Sequence, residues 1–195
     1  MVLFEIMDYL IVLVIYYFIG SIPFAIIFSK IFETKNPLLA GSKNPGATNM
    51  WRIGTKKSAV FTFIFDFMKG FLALFITNKL FGSIFYDLVI FIIIGHCFSI
   101  FIKFKGGKGV SAFLGILLFL QAKLFLIAVT VWGLVFILKK TSSIAALISI
   151  IATLLSNIFL FHSEIFSINL ICILVFLMHY QNIYRIIRAD EKKIS

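Results

Sequence analysis

The stretch VSAFLGILLFLQAKLFLIAVTVWGLVFIL, Val110 to Leu138, decides how this chain folds. It is too long for one ordinary membrane-spanning helix, which needs about 20 apolar residues, and short for two. Lysines flank it on both sides: Lys103, Lys105 and Lys108 before it, Lys139 and Lys140 after it. Cytoplasmic loops of membrane proteins collect Lys and Arg, so both ends should lie on one side. The chain must then go out and come back, and the break falls at Gln121–Lys123, in LQAKL. That predicts two short helices, tilted or in locally thinned bilayer. The alternative is a re-entrant hairpin, which leaves five full spans.

Composition requires this membrane frame. The 195 residues are 62% hydrophobic, against about 45–50% in soluble domains, and the mean hydropathy is +1.10. That excess is too large for one buried core. The 25 phenylalanines fit an AT-rich coding bias as well, which leaves the architecture unchanged. Further spans are expected at roughly 3–28, 59–78, 84–102, 143–161 and 165–178, with Gly20 and Pro23 bending the first. MVLFEIMDYL lacks the positive start and small-residue cleavage site of a signal peptide, so it reads as a first transmembrane helix.

Lys and Arg number 18 against 8 Asp and Glu. Lys30, Lys35, Lys43, Arg52, Lys56 and Lys57 occupy the first loop, and Arg185, Arg188, Lys192 and Lys193 the tail. With the two clusters around the opening stretch, they place the N-terminus outside and the C-terminus inside. The fold expected is an all-α polytopic membrane protein: seven transmembrane helices, two of them short, in a single domain over 1–195. His162 and Glu164 fall on the opposite face.

Several chemistries are excluded. Cys97 and Cys172 sit in apolar runs without a CxxC partner or a His/Cys cluster, so neither a disulfide nor a zinc site is expected. Asp8, Asp66, Asp87 and Asp190 are too scattered for the metal-binding aspartate cluster of a CDP-alcohol phosphotransferase. An anion transporter would explain charges near the membrane, but many transporters carry internal repeats and none is visible. No catalytic triad is recognisable.

Four pieces with chemistry remain. GSKNPGATNMWRIG (Gly41–Gly54) offers hydroxyls, backbone N–H groups and an arginine that can fork onto phosphate. An ordinary turn explains Asn44-Pro45-Gly46, but not the gathering of Ser42, Thr48, Asn49 and Arg52. KFKGGKG (Lys103–Gly109) fails the nucleotide P-loop pattern, since Gly109 stands where the magnesium-binding hydroxyl belongs. It can still hold phosphate, because a helix starts near Val110 and helix N-termini favour anions. A surface lysine anchor would explain its lysines but not its three glycines. DFMKG puts Asp66 and Lys69 on one helix face, as an intramembrane functional pair or a structural clamp. In the tail, HYQNIYRIIRADEKK, residues His179, Asn182 and Arg185 recur at three-residue spacing; a plain interfacial helix explains the basic residues better than Asn182. His96 precedes the glycine stretch and is either a hydrogen-bonded structural residue or a base. Ser143 is a helix N-cap or a substrate contact.

Together GSKNPGATNMWR, GHCFSIFIKFKGGKG and HYQNIYRIIRADEK resemble the three signature motifs of the bacterial acyl-phosphate:glycerol-3-phosphate acyltransferase family, PlsY. GSIPFA and DFMKG resemble its accessory segments, and the likeness runs from about Leu10 to Lys192. It implies seven transmembrane helices with the signature loops on the cytoplasmic side of the bacterial inner membrane. It implies transfer of an acyl group from acyl phosphate to the 1-hydroxyl of glycerol 3-phosphate, giving lysophosphatidic acid and phosphate, with no metal and no cofactor. Partners are then the two substrates and membrane lipid, no nucleic acid, and the enzyme a monomer. By motif match, Ser42, Asn49, Arg52, His96, Lys108, Ser143 and Asn182 are the catalytic candidates. Gly46, Thr48, Lys105, Gly106, Gly107, Gly109, His179 and Arg185 are the substrate-binding ones, and Glu191 closes the third motif. The chain departs from the family at Ala146, where a second serine is frequent, and in RADEKK, where a glycine usually precedes the acid. The mechanism expected is positioning of two phosphorylated substrates, with either His96 or a substrate phosphate oxygen as base.

Overall fold

The computed structural model describes residues 2–160 and 166–193, and every regular element in them is helical. The connection holding His162 and Glu164 lies outside the described residues.

Helix α1 (Val2–Ser21) stops just before Pro23, which lacks an N–H to continue the ladder, and α2 (Phe24–Ile31) resumes beyond it. The expected bend is there, and Leu3–Ile31 is long and apolar enough to cross a membrane as one piece. The first loop is more ordered than expected: it folds into a short helix, α3 (Ala47–Ile53). Thr55 then starts α4 (Lys56–Phe81) with a capping box. Thr55 Oγ1 accepts from the Ser58 N–H at 3.0 Å, and Ser58 Oγ accepts from the Thr55 N–H at 3.1 Å.

Helix α5 (Ile90–Cys97) has only 8 residues. It ends early because the chain turns at Lys103 and Phe104, both left-handed at φ 53° and 60°, and folds back on it. Gly106 N–H donates to the Cys97 carbonyl at 3.0 Å and Gly107 N–H to the His96 carbonyl at 3.1 Å. Helix-end carbonyls that would otherwise lack partners are thereby satisfied, and the glycine loop is drawn in between the helices.

The opening stretch breaks at Gln121 as predicted, into α6 (Val110–Leu120) and α7 (Ala122–Lys139). Lys108, ahead of α6, and Lys140, behind α7, border one cavity, so the chain leaves this end of the protein and returns to it. The lengths differ from expectation. α6 has 11 residues, rising about 16 Å, but α7 has 18 and can cross alone. The short helices are α5, α6 and α9 rather than a matched pair. α8 (Ser142–Phe159) packs on α7, where Ser149 Oγ donates to the Ala128 carbonyl at 2.7 Å. α9 (Phe166–Leu177) and α10 (Tyr180–Ile187) meet at a 51° bend. That bend brings His179 and Asn182 to the same cavity.

Two helix crossings hold the bundle, each by a reciprocal pair of glycines. A Cβ at Gly70 of α4 would collide with the Ala112 carbonyl of α6, and one at Gly115 of α6 with the Phe67 carbonyl of α4. Gly20 of α1 and the Ile92 carbonyl of α5 meet in the same way, as do Gly95 and the Tyr17 carbonyl. In lipid there is little hydrophobic drive between helices, so close backbone approach through small residues is what joins them, with Cα–H···O contacts adding to it. Around these crossings Tyr16, Leu74, Ile92, Phe113, Ile116 and Ile171 are fully buried.

Gly115→Val should therefore lower the thermal unfolding midpoint in detergent, at a cost of about 1–3 kcal/mol for overpacking. Gly133→Ala on α7, where an added Cβ meets nothing within 4 Å, should leave the midpoint unchanged or raise it. Equal midpoints for Gly115→Val and the unaltered protein would contradict the crossing.

Candidate active site

The loops drawn in by α5, α3 and the α9–α10 bend surround a cavity of about 980 Å³. Its lining has a polar and an apolar part. The polar part includes Ser42, Thr48, Arg52, Lys108, Ser142, Ser143, His179, Asn182 and Glu191, with Asp66 and His96 also in the lining. The apolar part is made by Ala59, Val60 and Phe63 of α4, Leu114 of α6, and Val129, Trp132 and Phe136 of α7.

Glu191 organises the polar part. Its Oε1 accepts from Ser143 Oγ at 2.8 Å and from Asn182 Nδ2 at 2.7 Å, and its Oε2 from Arg185 Nε at 2.7 Å. Burial alone would raise this carboxyl, but the hydrogen bonds from Arg185, Ser143 and Asn182 outweigh it and hold it below the usual carboxylate range. Lys108 Nζ donates to the remaining oxygen of Asn182, Oδ1. Burial, aided by the positive charges of Arg185 and Arg52 and opposed by Glu191, pulls the Lys108 ammonium down to about 8. Arg52 is also lowered, first by burial. Its Nη2 donates to the Lys192 carbonyl at 3.1 Å, while its buried Nε has no hydrogen-bond partner among the described residues. The polar part thus holds a lysine, an arginine and several hydroxyl and amide donors, which suits an anion.

The first motif borders the cavity with Ser42, Gly46, Thr48, Asn49 and Arg52. Asn49 is buried and its amide is committed to the loop itself. Its Oδ1 accepts from the Ser42 N–H at 2.8 Å, and its Nδ2 donates to the Pro37 and Ala40 carbonyls, each at 3.1 Å. It shapes the loop that presents Ser42, Gly46 and Thr48 to the cavity. Thr48 Oγ1 lies 3.1 Å from Ser142 Oγ.

The glycine loop contributes differently from expectation. Gly106 and Gly107 give their N–H groups to α5, not to the cavity, and Lys105 is exposed and outside the lining. Lys108 and Gly109 do face it. Gly109 has φ 89°, a region that favours glycine, and this turn sets Lys108 at the head of α6. His96 is 7% exposed. Its Nδ1 lies 3.8 Å from Asp66 Oδ1, and a side chain at 107 would strike its Nε2. Lys69 Nζ is 2.9 Å from Asp66 Oδ1 and donates to the Ile22 carbonyl at 2.9 Å. The Asp66–Lys69 pair ties α4 to the break between α1 and α2, and His96 fills the space between that pair and the glycine loop.

In the tail, His179 Nδ1 is 2.7 Å from the Val175 carbonyl. A carbonyl only accepts, so the proton is on Nδ1 and Nε2 is left as an acceptor. Arg185 stands outside the lining and reaches the site through Glu191. Ser142, not among the sequence candidates, lines the cavity beside Ser143, and the Ser142–Ser143 doublet is a signal that both could matter. Sequence reasoning also left out Asp66 as a cavity residue.

The profile of the family described as glycerol-3-phosphate acyltransferase matches residues 10–189. A glycerol-3-phosphate acyltransferase of Wolbachia sp. subsp. Brugia malayi (strain TRS) is 41% identical over 192 residues, covering 97% of this chain and 100% of the relative. Two crystal structures of PlsY (YgiH), an integral membrane glycerol 3-phosphate acyltransferase, superpose closely. The glycerol 3-phosphate form gives a TM-score of 0.84 at 30% identity, and the lysophosphatidic acid form 0.81 at 31%, each covering 95% of both chains.

Lysine acetylation measured across pH by peptide mass spectrometry should place the Lys108 midpoint near 8. Glu191→Gln should move it lower still, because the carboxylate is the neighbour that favours the charged form. A midpoint in the ordinary lysine range, or one that rises in Glu191→Gln, would contradict this electrostatic arrangement.

Proposed function

The chain belongs to the glycerol-3-phosphate acyltransferase family, and we propose that it takes its acyl group from acyl phosphate. It is an all-helical integral membrane enzyme. The observation that carries the reading is a cavity lined by both cationic and apolar residues. An acyl phosphate has the same division, and its apolar half can come directly from lipid: Val60, Phe63 and Val129 are 47%, 42% and 41% exposed on the bundle's flank.

Arg52, Lys108, Ser143 and Asn182 hold the phosphate of glycerol 3-phosphate. Thr48, Ser142 and the first amides of α6 hold that of the donor. The glycerol 1-hydroxyl attacks the acyl carbonyl carbon, the bond from that carbon to the phosphate oxygen breaks, and the hydroxyl proton passes to a phosphate oxygen. Lysophosphatidic acid and inorganic phosphate leave. Holding the reactants in register supplies much of the rate, and fixed donors stabilise the charge that develops. His96 is a positioning residue in this reading, and the substrate's own phosphate is the base. No metal or cofactor takes part. The topology that goes with it has seven crossings, the N-terminus outside, the C-terminus inside, and the site on the cytoplasmic face of the bacterial inner membrane. Residues 1–195 act as one domain and as a monomer.

Purified enzyme given palmitoyl phosphate and glycerol 3-phosphate should release phosphate only when the acceptor is present. Lys108→Ala should lose roughly hundredfold or more in kcat/KM, the scale for removing one member of a buried charged pair. Acceptor-dependent release with acyl-CoA and none with acyl phosphate would reject the donor.

The KM for glycerol 3-phosphate should climb as pH rises through about 8. A lysine of lowered pKa loses its proton there, and with it the charge that attracts the phosphate. Lys108→Arg, which stays charged, should flatten that rise.

A further inference from the structure

The apolar lining of the cavity is carried mainly by α4 and α7. On α7 the lining runs from Lys140 back to Val129, eleven residues or about 16 Å. On α4 it runs inward to Phe63 and Asp66. Next to that lining stand Phe67, one residue past Asp66 on α4, and Phe125, four residues past Val129 on α7. Their rings meet edge to face, with centroids 6.0 Å apart at 63°. Phe63, which lines the cavity, leans on Phe67 at 6.3 Å. A continuous run of three rings thus crosses from α4 to α7 beside the cavity. Above it the α7 wall is flat, since Trp132 and Phe136 are stacked at 4.9 Å and 10°.

We propose that the Phe67–Phe125 pair is the length stop for the acyl chain. The proposal rests on the acyltransferase reading above and adds the residues that set chain-length preference. A chain whose end reaches the pair fills the groove and makes its dispersion contacts along the whole wall. A shorter chain leaves the end of the groove unfilled. A longer one must bend at the rings and leave sideways into lipid. The preferred donor is therefore the one that spans from the polar part to the rings. Residue choice at these two positions, just past the lining, moves that preference.

The test is a series of acyl phosphates from octanoyl to stearoyl, read as kcat/KM at saturating glycerol 3-phosphate. Phe125→Ala should move the optimum to longer chains by roughly four methylenes, about the length of one helical turn. Val129→Phe, at a partly lipid-exposed position that tolerates bulk, should move it to shorter chains. In parallel, binding of 1-acyl-glycerol 3-phosphates of the same lengths to the full-length protein is measured by calorimetry, and the preferred length should shift in the same directions. This second readout does not depend on the donor. Absence of turnover with every acyl phosphate would reject the donor alone, and the binding series would still decide the stop. A loss by the same factor at every length in Phe125→Ala, with the optimum unmoved there and in Val129→Phe, would mean that the rings only pack, and would overturn the proposal.

Discussion

A helix that ends inside a membrane protein leaves carbonyls that water cannot reach, and something must bond them. In this chain the glycine loop does so, through the amides of Gly106 and Gly107 on the last carbonyls of α5. The rest of the site depends on that return. It draws a lysine-bearing loop between the helices, fixes the start of α6 at Gly109, and so sets where Lys108 stands. If the loop stayed at the surface, α5 would run on as a full span and Lys108 would be a solvated anchor. Placing the loop inside lets a charged group meet Asn182 from the far end of the chain.

The remaining pieces follow the same logic. The 51° bend between α9 and α10 brings His179 and Asn182 inward as the glycine return brings Lys108. The tail then folds over, so that Glu191 joins Ser143, Asn182 and Arg185. Short helices are thus where the polar loops enter, and two long ones, α4 and α7, hold most of the apolar wall. A phosphate and a fatty chain belong in different solvents, and this division of helix lengths lets one cavity touch both.

Much of this was legible in the sequence. Apolar run length and lysine placement predicted the helical membrane fold, the bend at Pro23 and the break at Gln121, because those follow from local chemistry. The motif residues that face the cavity could be named from spacing and residue type. What could not be read was which atoms of those residues are free. Gly106 and Gly107 look like a phosphate cradle until their amides are seen bonded to α5, and Asn49 looks like a ligand until both ends of its amide are traced to the first loop. Glu191 was obscure for a different reason. Its weight comes from three donors supplied by α8 and α10, a convergence on the tail that exists only after folding. The short length of α5 was likewise hidden, since its sequence continues apolar past the point where the helix ends.

The reciprocal glycines also say something about how such a protein can drift. Lipid distinguishes poorly among Leu, Ile, Val and Phe, so a mutational bias toward Phe and Ile can rewrite the outer surfaces of α1, α4 and α7 at little cost. At Gly20, Gly70, Gly95 and Gly115 the neighbour is not lipid but a backbone carbonyl, which cannot be exchanged by mutation and does not yield. The surface of this protein is thus free to follow its genome's composition, while four hydrogen atoms, one on each of those glycines, are not.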